Sequence, residues 1–189
     1  MKTLLADLAR ETARILEFPA EPEELMQTLC NVMSEQMPEQ MKKPIRLRIR
    51  PFPDSTGASG LTLEGDKFIL VIVEQRTPPE HQLTILGHEL WHIKSGDCGH
   101  HGIPVAAAAR RFGTDDDIPW GELLRIAARS DVQADHNVKA EIRAEEFGLL
   151  VGSRFRSWLP GPRARDTITQ RTRAGRIASS LTARSGPMG

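Results

Sequence analysis

Two histidines and a glutamate in the segment His88-Glu89-Leu90-Trp91-His92 have the types and spacing of a metal-dependent hydrolytic centre. On a helix, residues four apart lie on one face, so His88 and His92 can bind the same metal ion. Glu89 lies too near them in sequence to bind the ion as well, but its carboxylate can reach a water on the ion. Zinc lowers the pKa of such a water to about 7, and the carboxylate can accept its proton as it attacks a peptide carbonyl. The motif therefore predicts zinc-dependent peptide hydrolysis.

The helix that carries this motif has recognisable ends. Thr77 and Glu80, with two prolines between them, predict a capping box at its start, and the helix should end near Gly96. An apolar stripe at helical spacing lies away from the histidines and predicts the face that packs on the core; it consists of Leu83, Leu86, Leu90 and Ile93.

A catalytic zinc site needs a third protein ligand, and two placements compete. The metzincin pattern requires a glycine at position 95 and a histidine at position 98, where this chain has Ser95 and Cys98. The other placement is a glutamate on a later helix. Glu141 and Glu145 are four apart on one face of such a helix, so Glu141 can bind the metal. Glu145 can then accept the free ring N–H of a ligating histidine and fix its tautomer.

These residues resemble the ImmA/IrrE-like metallopeptidases, a gluzincin-type family with a thermolysin-like site. The resemblance covers roughly residues 60–152 and rests on the motif helix together with a later helix reading Glu141-Ile142-Arg143-Ala144-Glu145-Glu146-Phe147-Gly148. It implies that His88, His92 and Glu141 are metal ligands, Glu89 the catalytic base and Glu145 the supporting acid. The chain departs from the family at Arg143, where a second glutamate is usual, and in a longer spacer before Glu141.

The resemblance also implies a function. It predicts a zinc-dependent metallo-endopeptidase that acts on a specific intracellular protein, such as a helix-turn-helix repressor or an antitoxin-type regulator. Zinc is the expected metal, with Mn²⁺ and Fe²⁺ as alternatives because sites with two histidines and one glutamate accept all three.

The oxyanion of the tetrahedral intermediate needs an electrophile, and the chain has no tyrosine to supply one. The candidates are His136, five residues before Glu141, then His100 and His101 in a glycine-rich segment, or an arginine. We take His136 as the first choice.

The elements around these residues predict an α+β fold. Helical periodicity near Leu4–Leu16 and Leu25–Met33 gives two N-terminal helices, and Ile45–Arg50 alternates like a strand. Leu61–Leu63 and Lys67–Glu74 should form a hairpin, with the second strand buried on both faces. We therefore expect a single zincin-like domain with N-terminal helices, a small mixed or antiparallel sheet and two metal-bearing helices.

Charge is distributed unevenly along a chain whose formal net charge is zero. Residues 151–189 hold eight arginines and one acid, Asp166, which indicates a basic tail. We expect residues 1–159 to form the metallopeptidase-like domain, with its core in 60–152, and residues 160–189 to be a flexible Arg-rich tail. The N-terminus shows no signal peptide and the longest apolar run, Phe68–Val73, is too short to span a bilayer, so a cytoplasmic protein without a membrane partner is expected.

Two other functions remain open. The zinc site can be purely structural, in a regulatory or toxin–antitoxin binding module that does not cleave its partner. Alternatively, the arginines of the tail can bind nucleic acid, although no helix-turn-helix or stacking platform accompanies them and direct nucleic-acid binding is not expected.

Overall fold

The computed structural model describes residues 1–52, 54, 58–65, 67–96 and 138–161. Its helices and strands, in chain order, are α1 (Lys2–Ile15), α2 (Pro22–Glu35), β1 (Ile45–Arg50), β2 (Gly60–Glu64), β3 (Ile69–Glu74), α3 (Pro79–Ser95) and α4 (Val138–Phe155). Short 3₁₀ turns occupy Glu39–Met41 and Arg156–Trp158. Two N-terminal helices, a small sheet and two further helices agree with the α+β expectation. The spacer before Glu141, from residue 97 to residue 137, and residues 162–189 of the Arg-rich tail lie outside the described residues.

The sheet has the order β1-β3-β2 and is mixed. β2 and β3 form the predicted antiparallel hairpin, with Leu61 opposite Ile72 and Leu63 opposite Leu70. β1 lies parallel to β3 on its other side. All six residues of β3 are buried, as expected for a central strand, although the strand begins at Ile69 rather than at Lys67. β2 is therefore an edge strand within the described part of the chain.

One core holds the N-terminal helices, the sheet and α3 together. Its largest fully buried side chains include Leu8, Leu25, Met26, Leu29, Met33, Ile45, Leu83 and Leu86. All four residues of the apolar stripe predicted for α3 are buried. Each such leucine or isoleucine contributes about 1.5–3 kcal/mol when it leaves water. Burial of this stripe fixes the rotation of α3 about its axis. It therefore also fixes the direction in which the histidine face of the helix points.

The start of α3 differs from the prediction. The helix begins at Pro79, its N-cap is Pro78, and no side chain caps it. Thr77 Oγ1 instead donates to the Glu74 carbonyl at 3.0 Å, so the predicted capping box with Glu80 is wrong. Two successive prolines explain this, because Pro79 has no N–H to be capped and its fixed φ starts the helix by itself. The helix ends as predicted, at Gly96 with φ of +76°.

α3 and α4 approach each other closely because glycines lie where they meet. A Cβ built at Gly148 would be 2.6 Å from the Thr84 carbonyl oxygen, and one at Gly87 would be 2.8 Å from Val151 Cβ. A Cβ at Gly152 would collide with the Thr84 hydroxyl. Only glycine at these positions permits so short a distance between α3 and α4. This short distance brings α4 side chains to the histidine face of α3. Within the described ranges, no helix is both long and apolar enough to cross a membrane.

Candidate metal centre

The two motif histidines point the same way from α3. His88 Nε2 and His92 Nε2 are 3.0 Å apart, and the ring centroids are separated by 4.7 Å. Their side chains are partly exposed, at 27% for His88 and 15% for His92. Both histidines are more exposed than the buried stripe of α3, as the sequence predicts, and their Nε2 atoms lie next to each other.

Glu141 reaches the histidines from α4. Its Oε2 is 3.5 Å from His88 Nε2 and its Oε1 is 3.5 Å from His92 Nε2. All three ligand atoms lie within 4.8 Å of one another. Bonds of 2.0–2.1 Å in tetrahedral geometry place neighbouring ligand atoms about 3.3 Å apart, close to these separations. The cluster of His88, His92 and Glu141 can therefore hold a metal ion, and its two-imidazole, one-carboxylate donor set fits zinc.

Glu89 lies behind the histidines and is buried against β2. Its Oε2 accepts a hydrogen bond from Thr62 Oγ1 at 2.7 Å. Gly60 lies so near that an added Cβ would collide with Glu89 Oε1. Burial raises the pKa of Glu89 to about 7; the Thr62 hydrogen bond lowers it and the negative charge of Glu141 raises it. Glu89 is therefore a buried carboxyl group that exchanges its proton near neutral pH in the metal-free protein.

A cavity of about 430 Å³ adjoins this centre. It lies between the start of β2, the N-terminal half of α3 and the middle of α4, and both His88 and Glu89 line it. His88 of the metal cluster and the neighbouring Glu89 thus adjoin space large enough for part of a substrate.

The structure locates Glu145 but not His136 among the predicted supporting groups. Glu145 is exposed and lines the same cavity as His88, yet no hydrogen bond between the two occurs among the described residues. Its role in orienting a histidine stays a prediction. His136 lies outside the described residues, as do His100 and His101.

Sequence reasoning missed Thr62 and the glycines. Thr62 has no sequence signal, because only the β2–β3 register and the packing of α3 bring its hydroxyl to Glu89. Gly148 and Gly152 did carry a signal: two glycines four apart lie on one helix face and permit close packing there.

Comparisons of the chain with family models, with curated proteins and with solved structures found no match. The chemistry of the centre is therefore inferred from three features: the ligand cluster, the buried carboxyl group beside it and the adjoining cavity.

Proposed function

We propose that the protein is a zinc-dependent endopeptidase of the ImmA/IrrE-like type that acts on a specific intracellular protein. One observation carries the proposal. The Nε2 atoms of His88 and His92 on α3 lie close to the Glu141 carboxylate on α4, beside the buried Glu89. Peptide hydrolysis needs both parts: a ligand set that leaves one position open, and a carboxylate that handles protons.

Zinc is the proposed metal because two imidazoles and one carboxylate suit it, with Mn²⁺ and Fe²⁺ as alternatives. When bound, zinc would supply a Lewis acid and a water acidic enough to ionise near pH 7. His88, His92 and Glu141 would hold it.

Glu89 moves the protons of the proposed reaction. Its ionised carboxylate accepts a proton from the attacking water, and the same carboxyl group then donates that proton to the leaving amine nitrogen. Thr62 holds the Oε2 atom of Glu89 in place from β2. In the metal-free protein burial raises the pKa of Glu89 to about 7, and the positive charge of a bound ion would lower it and favour the ionised form that accepts the proton. His136 remains the proposed oxyanion-stabilising residue.

The substrate class comes from the family resemblance. A helix-turn-helix repressor or an antitoxin-type regulator is the proposed partner, and the site would act on one protein rather than on bulk peptide. The protein is proposed to act in the cytoplasm.

A second function is favoured by one contact. The hydrogen bond from Thr62 to Glu89 gives this carboxyl group a structural role that does not depend on catalysis. A regulatory module that binds zinc and a partner without cleaving would keep the same ligand cluster, and only the peptidase would need Glu89 for activity.

Metal content and cleavage, measured on matched variants, test the proposal. Wild type should bind about one zinc per chain and cleave a repressor encoded beside it. His92→Ala should lose both, whereas Glu89→Gln should keep the zinc and lose cleavage. Zinc binding with no cleavage by wild type would favour the regulatory module. Absence of zinc, Mn²⁺ and Fe²⁺ from the wild type, even after each is supplied, would exclude both functions.

A further inference from the structure

The cavity beside the metal centre has an uneven distribution of charge. Among the described residues, its charged or titratable lining groups are His81, His88, Glu89 and Glu145, with no lysine or arginine. A divalent ion would balance the charges of Glu141 and Glu89, two positive charges against two negative ones. Glu145 would then be the remaining charge that the described residues give the lining, and this charge is negative.

Glu145 is available to bind a cation. Its side chain is exposed on α4, and in the described part of the chain no ion pair or hydrogen bond engages it. Neighbouring acids differ in this respect, because Glu141 faces the two histidines while Glu146 lies outside this cavity. A carboxylate at the wall of a cavity gains most from a partner that enters the cavity with a positive charge.

The rest of the lining is suited to an alkyl chain. Ile85 and Leu149 contribute apolar side chains to the lining, together with Thr84 of α3. Long cationic side chains bury their methylene groups along apolar surface while the charged end stays near water or a carboxylate. A cavity lined by both apolar side chains and the Glu145 carboxylate suits a side chain of this kind.

We propose that the cavity is a specificity subsite that accepts a lysine or arginine side chain of the substrate, with Glu145 pairing with its charged end. The inference rests on the proposed peptidase function, because it takes the polypeptide bound at the metal centre as the source of the cation. It assigns Glu145 a role in substrate selection in place of the role of orienting a histidine.

The two roles of Glu145 make different predictions for zinc. A carboxylate that orients a metal ligand typically costs 10–100-fold in metal affinity when it is removed. A specificity residue that contacts only substrate should leave zinc affinity unchanged. Zinc affinity of Glu145→Gln, measured by competition with a chelator, separates the two.

Peptide binding tests the subsite directly. In a zinc-loaded Glu89→Gln background, which prevents cleavage, fluorescence anisotropy would compare peptides that differ only by lysine, arginine, norleucine or glutamate at one position, scanned along the peptide. At one position, lysine and arginine should bind about fivefold more tightly than norleucine, and glutamate more weakly still. Glu145→Gln should abolish this preference and Glu145→Lys should reverse it.

Glu146→Gln is the matched control, since it removes an adjacent exposed carboxylate outside the cavity and should preserve the preference. No preference at any position, a preference that survives Glu145→Gln, or no peptide binding at all would overturn the inference. Selective binding together with an uncleaved substrate in the wild type would leave the subsite intact and refute only the peptidase function.

Discussion

Glu89 is subject to opposing effects from its surroundings. Burial against β2 disfavours its charged form and raises its pKa to about 7, while the Thr62 hydroxyl donates to the carboxylate and favours that form. Thr62 also fixes one carboxylate oxygen, which determines where the other can point. We therefore regard Thr62 as a positioning residue for the proposed base.

Replacing Thr62 with valine tests this role. Valine keeps the branched shape but removes the only hydrogen bond that the described residues show to the Glu89 carboxylate. We expect kcat of the zinc-loaded enzyme to fall about tenfold with KM and zinc content unchanged, because proton transfer contributes about 10²–10⁴-fold and is impaired rather than lost. Steady-state kinetics measures this.

Thr62→Ser is the matched control, since it retains the hydroxyl, and it should restore most of kcat. Equal losses in the valine and serine variants would show that packing on β2, rather than the hydrogen bond, explains the effect.

At the scale of elements, the site depends on the distance between α3 and α4. Gly148 sets this distance, because a Cβ there would be 2.6 Å from the Thr84 carbonyl oxygen and 3.2 Å from the His88 nitrogen. Both atoms belong to the backbone of α3 and can move only with the helix. Glu141 lies in the first turn of the same helix that Gly148 holds in place, so a shift at Gly148 changes the separation of Glu141 from His88 and His92.

Gly148→Ala should therefore destabilise the protein, although alanine by itself favours a helix by about 1 kcal/mol over glycine. We expect a net loss of about 2 kcal/mol in the free energy of unfolding, from overpacking, together with weaker zinc binding. Denaturant titration and chelator competition measure the two effects.

Gly161→Ala is the control, because an added Cβ there meets no atom of the described residues within 4 Å, and it should change stability by no more than about 0.5 kcal/mol. A Gly148→Ala protein more stable than wild type would show that helix propensity outweighs the contact with Thr84.

The sequence could predict those elements whose residues show a local pattern of apolar and polar side chains. The alternation in Ile45–Arg50 and the heptad-like stripe of α3 each report burial of one face, and the structure confirms both elements. The parallel pairing of β1 with β3 was not predicted, because no local pattern records which distant strand becomes a neighbour. Thr62 was missed for the same reason, whereas the histidine spacing sits within one helix and could be read directly.

Across the whole molecule, α4 is held at both ends by different means. Its C-terminal end is tied to the N-terminal part of the chain by Phe18 and Phe155, whose rings contact Trp158, and by the Ala20 N–H, which donates to the Trp158 carbonyl at 2.9 Å. Its N-terminal end carries Glu141 to the histidines. The metal cluster therefore depends on contacts that extend to the first twenty residues, and stability and metal affinity should be linked.

A second polar network joins the end of β3 to the segment after β1. Glu74 is 7% exposed, and its carboxylate accepts hydrogen bonds from the Phe52 N–H at 2.9 Å and the Arg76 N–H at 2.7 Å. The Arg76 guanidinium also donates to Glu74, to the Phe52 carbonyl and to Asp54. Hydrogen bonds from the Arg76 side chain, then those from the two backbone N–H groups, lower the pKa of Glu74 to about 2.

This network gives the stability of the molecule a defined pH dependence. The native pKa of Glu74 lies below the ordinary value of 4.5, so the unfolded state binds more protons between pH 4.5 and pH 2. Its contribution is complete above pH 4.5 and is lost as the pH falls toward 2. A shift of this size corresponds to about 3 kcal/mol.

Glu74→Gln should therefore lower the free energy of unfolding by about 3 kcal/mol at pH 7 and by much less at pH 2.5. Urea titrations of the metal-free protein at several pH values measure this difference without a contribution from the pH dependence of metal binding. Glu64→Gln is the control, since Glu64 is 45% exposed and its partner in the described part of the chain is Lys43, and loss of such a surface ion pair costs at most about 1 kcal/mol. A Glu74→Gln deficit that is equally large at both pH values would show that the amide disrupts packing and that the charge of Glu74 contributes little to stability.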